Sequence, residues 1–317
     1  MPVGDDAADK GAFESAYVQD DYSITKGLVL NAGLRFDATQ FSFGDSTSDD
    51  SLAQPRIGLN YMLTDTTKVH AFYGKLFQPA PVENLRETIQ QVSGSATLAK
   101  YDIKAEKDDY FEVGIAQQFL DTHVALLNLY YKDAKNMLDD AELFNTSIAQ
   151  PYNFDTGYAY GIEFSIKGEI NSHWSEYLNY SYEIAKGKGI SGGLFVFQGT
   201  GNAPPPDEYQ FLDHVQVHTA NAGVTFKQNQ FWWTGQALYG SGLRTGNGNE
   251  QSLPSHLTFD TTVGYEFKGD SWASRFKLSA DVLNILDDSY PISISNGFNG
   301  SHYAAGREVF VRLTKEL

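Results

Sequence analysis

Apolar and polar side chains alternate residue by residue through long stretches of this chain, and few folds accept such a pattern. In one stretch Phe276, Leu278, Ala280 and Val282 share one parity while Arg275, Lys277, Ser279 and Asp281 share the other. The split returns with Leu28, Leu30, Ala32, Leu34 and Phe36 against Asn31, Gly33, Arg35 and Asp37. It returns again with Leu257, Phe259, Val263, Tyr265 and Phe267 against Thr258, Asp260, Gly264 and Glu266. A strand sends successive side chains to opposite faces, whereas a helix would smear these charges around its circumference. The reading is all-β, with strands that carry one apolar and one polar face.

About 13 such strands can be placed, near 13–23, 27–39, 54–63, 67–77, 106–119, 121–134, 152–169, 173–186, 212–227, 230–241, 255–267, 271–284 and 305–317. Tight turns at Thr25-Lys26-Gly27, Thr64-Asp65-Thr66, Leu120-Asp121, Asn171-Ser172, Gln228-Asn229 and Gly269-Asp270 alternate with long segments rich in Gly, Ser, Asn, Asp or Pro. Short turns at one end and long loops at the other are the arrangement of an antiparallel transmembrane β-barrel, although a soluble β-sandwich can alternate its faces equally well. Aromatics beside the tight turns, Tyr22, Trp174, Trp232, Trp233, Tyr265, Phe267 and Trp272, fall where an interfacial belt would sit.

Composition narrows the classes further. A chain with 41% hydrophobic and 14% aromatic residues folds rather than staying disordered. No stretch of roughly 18 apolar residues is present for a transmembrane helix, but a spanning strand needs only about 10 residues with alternate ones apolar. A formal charge of -17 argues against nucleic acid as a partner, and the absence of cysteine removes thiolate metal sites and disulfides. The start, MPVGDDAADK, lacks the charged and apolar regions of a secretory signal, which fits an intracellular protein, a mature form or a piece of a longer chain.

Several short segments, taken in order, go beyond pattern. They include Ala16-Tyr-Val-Gln-Asp-Asp-Tyr22 with Leu30-Asn-Ala-Gly-Leu-Arg-Phe-Asp37, Pro55-Arg-Ile-Gly-Leu59, Leu76-Phe-Gln-Pro-Ala-Pro81 with Glu83-Asn-Leu85, and Ala105-Glu-Lys-Asp-Asp-Tyr-Phe-Glu-Val-Gly114. Tyr160-Gly-Ile-Glu163, Leu212-Asp-His-Val-Gln-Val-His-Thr219, Tyr239-Gly-Ser-Gly-Leu-Arg244 and Leu253-Pro-Ser255 follow. The closing pair is Val282-Leu-Asn-Ile-Leu-Asp-Asp-Ser-Tyr290 and Gly306-Arg-Glu-Val-Phe-Val-Arg-Leu-Thr-Lys-Glu-Leu317. In this order and spacing the chain resembles the C-terminal barrel portion of TonB-dependent outer-membrane receptors.

The resemblance implies a barrel of about 22 strands, of which this chain supplies about 13. Residues 1–11 then read as the remnant of an extracellular loop, and 12–317 as the C-terminal part of the barrel. It implies outer-membrane lipid around the wall, the barrel-assembly machinery as an insertion partner, and the TonB complex acting through a plug domain that these residues do not include. Family barrels usually end on an aromatic residue, where this chain has Leu317. The implied function is active uptake of a scarce nutrient such as a ferric siderophore, with long loops extracellular, short turns periplasmic and no cofactor. A passive channel or adhesion barrel is the competing function, and an odd strand count predicts that this chain does not close on itself.

The residues suggest no covalent chemistry. No G-x-S-x-G elbow appears, Gly240 to Gly246 leads into no helix, and Asp45, Asp49 and Asp50 lack the spacing of a calcium loop. His214 and His218 on one strand would lie about 13 Å apart, too far to share an ion. Arg35, Arg56, Glu112, Glu163, Lys167, Asp260, Arg275, Lys277, Asp281 and Arg312 share the polar parity and are expected to line the lumen. Phe77, Phe195, Phe197, Tyr209 and Phe211, beside Gly- and Pro-rich chain, are candidates to hold a flat, partly apolar ligand such as a metal chelate; loop aromatics also pack on one another.

Overall fold

The computed structural model describes residues 10–43, 46–82, 103–142, 149–191, 207–268, 276–294 and 300–315. The first half contains β1 (Lys10–Ser23), β2 (Leu28–Phe43), β3 (Ser46–Met62), β4 (Thr67–Gln78), β5 (Glu106–Phe119), β6 (His123–Glu142), β7 (Ala149–Glu169) and β8 (Trp174–Ser191). The second half holds β9 (Gln210–Phe211), β10 (His218–Gln228), β11 (Phe231–Gly240), β12 (Arg244–Thr245), β13 (Gln251–Ser252) and β14 (His256–Glu266). It ends with β15 (Phe276–Leu283), β16 (Pro291–Ser293), β17 (His302–Tyr303) and β18 (Glu308–Lys315).

Thirteen long strands pair in one antiparallel path, β1-β2-β3-β4-β5-β6-β7-β8-β10-β11-β14-β15-β18, with β9 added against β8. Each neighbour along the path is the next long strand in sequence, so the sheet is an uninterrupted meander. Among the described residues β1 pairs only with β2 and β18 only with β15, which leaves the sheet open. An odd number of antiparallel strands makes β1 and β18 run the same way.

The expected strands are present, but several extend well past their expected ends. β2 and β3 pair out to Phe43↔Ser46, so 40–43 and 46–53 are paired strand rather than loop, and Asp49 and Asp50 lie on β3; Asp45 lies outside the described residues. β6 and β7 likewise pair out to Glu142↔Ala149. These ends mix polar side chains with buried apolar ones such as Phe41, Met137 and Phe154, so no regular alternation marks them. In the opposite direction, β10 begins at His218 rather than near 212, and the segment before it turns away from the strand path. Among the described residues the tight turns remain short, with Leu120, Asp121 and Asn229 in the left-handed region at φ of 49°, 56° and 55°; the expected turn at Gly269-Asp270 lies outside the described residues.

Burial is inverted relative to a soluble protein. Phe36, Val113 and Leu129 on the apolar parity are 46%, 51% and 45% exposed, whereas the polar side chains Gln54, Glu106 and Asp108 are 2%, 2% and 5% exposed. Cross-strand pairs such as Phe111↔Tyr131 and Tyr131↔Tyr160 keep the large apolar side chains on one continuous face. A sandwich would bury that face as its core. Two aromatic rows bound it. At the tight-turn end Trp174 packs 5.0 Å from Phe226 and 6.0 Å from Trp233, and Tyr265 packs 5.0 Å from Phe267. At the other end Tyr73 lies 5.0 Å from Phe111, and Tyr158 stacks 6.1 Å from Tyr160. The nine residues from Phe111 to Phe119 span about 26 Å of strand, close to the ~25 Å apolar band of a spanning barrel.

Trp232 departs from the expected belt. Register places it opposite Gly264, on the polar face, where its indole covers the space a side chain at 264 would need. Trp272 lies outside the described residues.

Candidate functional site: the polar face and its long-connection end

The register gathers Arg35, Arg56, Glu112, Glu163, Lys167, Asp260, Lys277, Asp281 and Arg312 on the polar face; Arg275 lies outside the described residues. Hydrogen bonds link this face from strand to strand. Arg35 Nε donates to Asp37 at 2.7 Å, Gln54 donates to the same carboxylate, and Asn60 donates to Asn31 at 2.7 Å. Glu112 meets His70 Nε2 at 2.9 Å and accepts from Tyr110 at 2.7 Å. Farther along, Tyr177 donates to Gln236, Gln236 donates to Asp260, and Thr262 donates to Asp281 at 2.8 Å. Arg312 pairs with Asp281 at 3.7 Å. Such a face is too polar to be a dry core.

At the long-connection end this face carries a small apolar cluster of Ala134, Met137, Tyr152, Phe154, Ala159, Ala185, Leu212 and Val215. Leu212 and Val215 come from the segment between β9 and β10, so their burial folds that segment against the strand extensions. A charged group flanks the cluster, in which Lys132 Nζ contacts Glu106 at 2.6 Å and Asp108 at 3.7 Å. The Glu106 carboxylate also accepts the Leu138 amide at 2.6 Å, which ties β5 to the extension of β6.

The same segment delivers His214 to Asp139, a residue of the β6 extension. His214 Nδ1 lies 3.1 Å from Asp213 Oδ1 and 3.6 Å from Asp139 Oδ1, while the Tyr152 hydroxyl donates to Asp139 Oδ2 at 2.9 Å. Burial pushes the Asp139 carboxyl up to about 7, helped by the nearby Asp213 charge and opposed by the Tyr152 hydrogen bond. The hydrogen bond to Asp213 raises His214, with burial opposing and Asp139 adding to it. Since His214 precedes β10 and only His218 lies on it, the strand-spacing argument does not apply to this pair.

Of the candidate ligand aromatics, Phe195 and Phe197 lie outside the described residues. Phe211 sits directly opposite Lys186, in register with Tyr158, and Phe77 shares the parity of Tyr73 and Lys75; both are therefore on the apolar-face parity, just beyond its upper aromatic row. Each ring has a cation beside it: Lys107 Nζ 6.0 Å from the Phe77 ring, Lys188 Nζ 5.1 Å from Tyr209, and both Lys186 Nζ at 4.1 Å and the Arg244 guanidinium at 4.0 Å from Phe211. Tyr209 also packs 4.9 Å from Tyr158.

Sequence reasoning passed over Lys186, Lys188, Arg244, Asp139 and Tyr152. The Lys186-Gly187-Lys188 repeat marks one face of a strand end, but nothing local tells where Asp139 and His214 meet, because 74 residues separate them.

Comparison with known proteins agrees with this architecture. The family described as "TonB dependent receptor-like, beta-barrel" matches residues 2–285. The chain is 23% identical over 311 residues to the probable TonB-dependent siderophore receptor PiuA of Acinetobacter baumannii, covering 93% of this chain and 39% of that protein. The ferric-catecholate import receptor Fiu of Escherichia coli K12 superposes with a TM-score of 0.66 at 20% identity, over 96% of this chain and 44% of that one. The copper transporter OprC superposes with a TM-score of 0.71 at 16% identity, over 96% and 47%. This chain thus spans less than half the length of each of these three. A family match over most of the chain, an antiparallel meander and a shared fold lead to one conclusion: the chain belongs to the TonB-dependent receptor β-barrel family.

Proposed function

We propose that this chain forms wall of an outer-membrane receptor that imports a scarce nutrient, with a ferric siderophore or similar chelate as the class of cargo. The observation that carries this reading is the inverted burial, with large apolar side chains exposed between two aromatic rows and charges gathered on the opposite face. The apolar face meets lipid, the polar face lines the lumen, and the long connections face the cell exterior. The charged lining, including Arg35, Arg56, Glu112, Glu163, Asp260 and Arg312, faces a plug domain on which TonB acts. Closure of the barrel calls for strands beyond these thirteen, because β1 and β18 run in parallel and an open edge in lipid costs several kcal/mol for each unpaired backbone group.

In this reading the two sets of mouth residues do different work. Cargo meets the polar-face mouth around Lys132, Asp139, Tyr152 and His214. Phe77, Tyr209 and Phe211, on the other parity and next to cations, suit the headgroup level of the membrane, where aromatic rings and lysines anchor a wall. Binding and release in this reading need no covalent step.

Uptake of radiolabelled iron chelates by cells with and without the intact receptor tests the reading. Uptake that needs the receptor and collapses when the inner membrane is de-energised is the expected result. Receptor-dependent flux that persists without energy, with conductance in liposomes, would instead establish a passive channel.

A further inference from the structure

We propose that Asp139, Asp213 and His214 bind one divalent transition-metal ion at the polar-face mouth, joining the segment between β9 and β10 to the extension of β6. The site stands on the geometry of this chain and does not depend on the transport reading. Three ligand atoms, one nitrogen and two carboxylate oxygens, lie within 4.8 Å of one another. Metal bonds of about 2.0–2.2 Å hold neighbouring donors about 3–4 Å apart, so the observed 3.1 and 3.6 Å separations need little adjustment.

The arrangement has further features of a built site. The Asp139 side chain is 2% exposed, and Tyr152 donates to its Oδ2, which fixes the carboxylate with Oδ1 toward the imidazole. Asp213 and His214 are 53% and 63% exposed at the side chain, which leaves the ion a path from solvent. Asp140, next along β6, adds a third carboxylate charge felt by His214. Three carboxylates against one imidazole leave excess negative charge beside an apolar cluster, and a dication offsets it. The donor set also restricts the metal. Calcium takes six to eight oxygens, whereas one imidazole with two carboxylates suits zinc or a neighbouring first-row ion, with the fourth position open to water.

Titration of the intact receptor in detergent micelles with Zn²⁺ alone tests the site. One Zn²⁺ per chain is expected, with affinity weakened roughly tenfold or more by His214→Gln or by Asp213→Asn, and with no displacement by millimolar Ca²⁺. Both residues are largely exposed, so the variants keep the fold, which an unchanged near-ultraviolet dichroism spectrum checks. With Cu²⁺ as the probe, the spin-resonance spectrum should show coupling to one imidazole nitrogen that His214→Gln abolishes. Absence of stoichiometric binding by the unaltered protein, Zn²⁺ binding undiminished in the double variant, or ready displacement by Ca²⁺ would each overturn the proposal.

Discussion

Gly187 owes its lack of a side chain to Phe154. A Cβ there would run into the Phe154 ring, which is completely buried, and one at Gly157 would run into Met137. Gly187→Ala is therefore expected to destabilise the mouth by about 1–3 kcal/mol through overpacking, read as a lower midpoint in urea unfolding from lipid vesicles. At the same scale the two faces should respond differently to one new charge. Leu129→Arg puts a guanidinium on the apolar face and is expected to cost about 2–4 kcal/mol if that side chain meets hydrocarbon. Asn179→Arg, exposed on the polar face beside Asn221, is expected to change stability by less than about 0.5 kcal/mol in the same assay. Equal costs at the two positions would contradict the assignment of faces.

At the scale of elements, the β6 extension and the 212–217 segment meet through titratable groups, so their contact should depend on pH. Asp139, Asp140 and His214 all sit above their ordinary values, with Asp213 and Tyr152 the other titratable groups facing them. A raised folded-state value stabilises the contact fully below the unfolded value and is lost as pH rises through the folded one. For Asp139 that window runs from about 4 to about 7, and for His214 it lies above 6.5. Amide exchange across 212–217, corrected for intrinsic rate, should thus be more protected near pH 5 than near pH 8; the reverse order would contradict the packing described. Sequence reading and structure part company at these same elements. Between the aromatic rows every second residue is apolar, as in Val113, Ile115, Leu127 and Leu129, so the strands are plain from the period. Beyond the rows, stretches such as Thr47 to Asp50 hold only polar side chains at successive positions, and no period marks their extent. The meeting of Asp139 with His214 depends on how a long connection folds back, which no local signal specifies.

At the scale of the whole chain, thirteen long strands of the described residues follow strict sequence order in an open sheet with one lipid-like and one water-like face. Net charge and cysteine count bear on partners and metal ligands but leave the faces unassigned, because alternation alone is shared by sandwiches and barrels. Burial breaks the tie, and the polar ladder from Asn31 to Asp281 is its counterpart on the other side. Open edges at β1 and β18 lead to a further expectation, that these 317 residues by themselves show no stable unitary conductance in planar bilayers. The central claim, that the apolar face meets lipid, is open to direct measurement because the chain has no cysteine to interfere with single labels. Spin labels placed one at a time at 111–115 and 127–131 of the membrane-inserted receptor would be relaxed by oxygen, which partitions into lipid, or by a water-soluble nickel chelate. A period of two is expected, with 111, 113, 115, 127, 129 and 131 favouring oxygen and 112, 114, 128 and 130 favouring the chelate. Uniform accessibility along these strands, or the opposite phase, would contradict it.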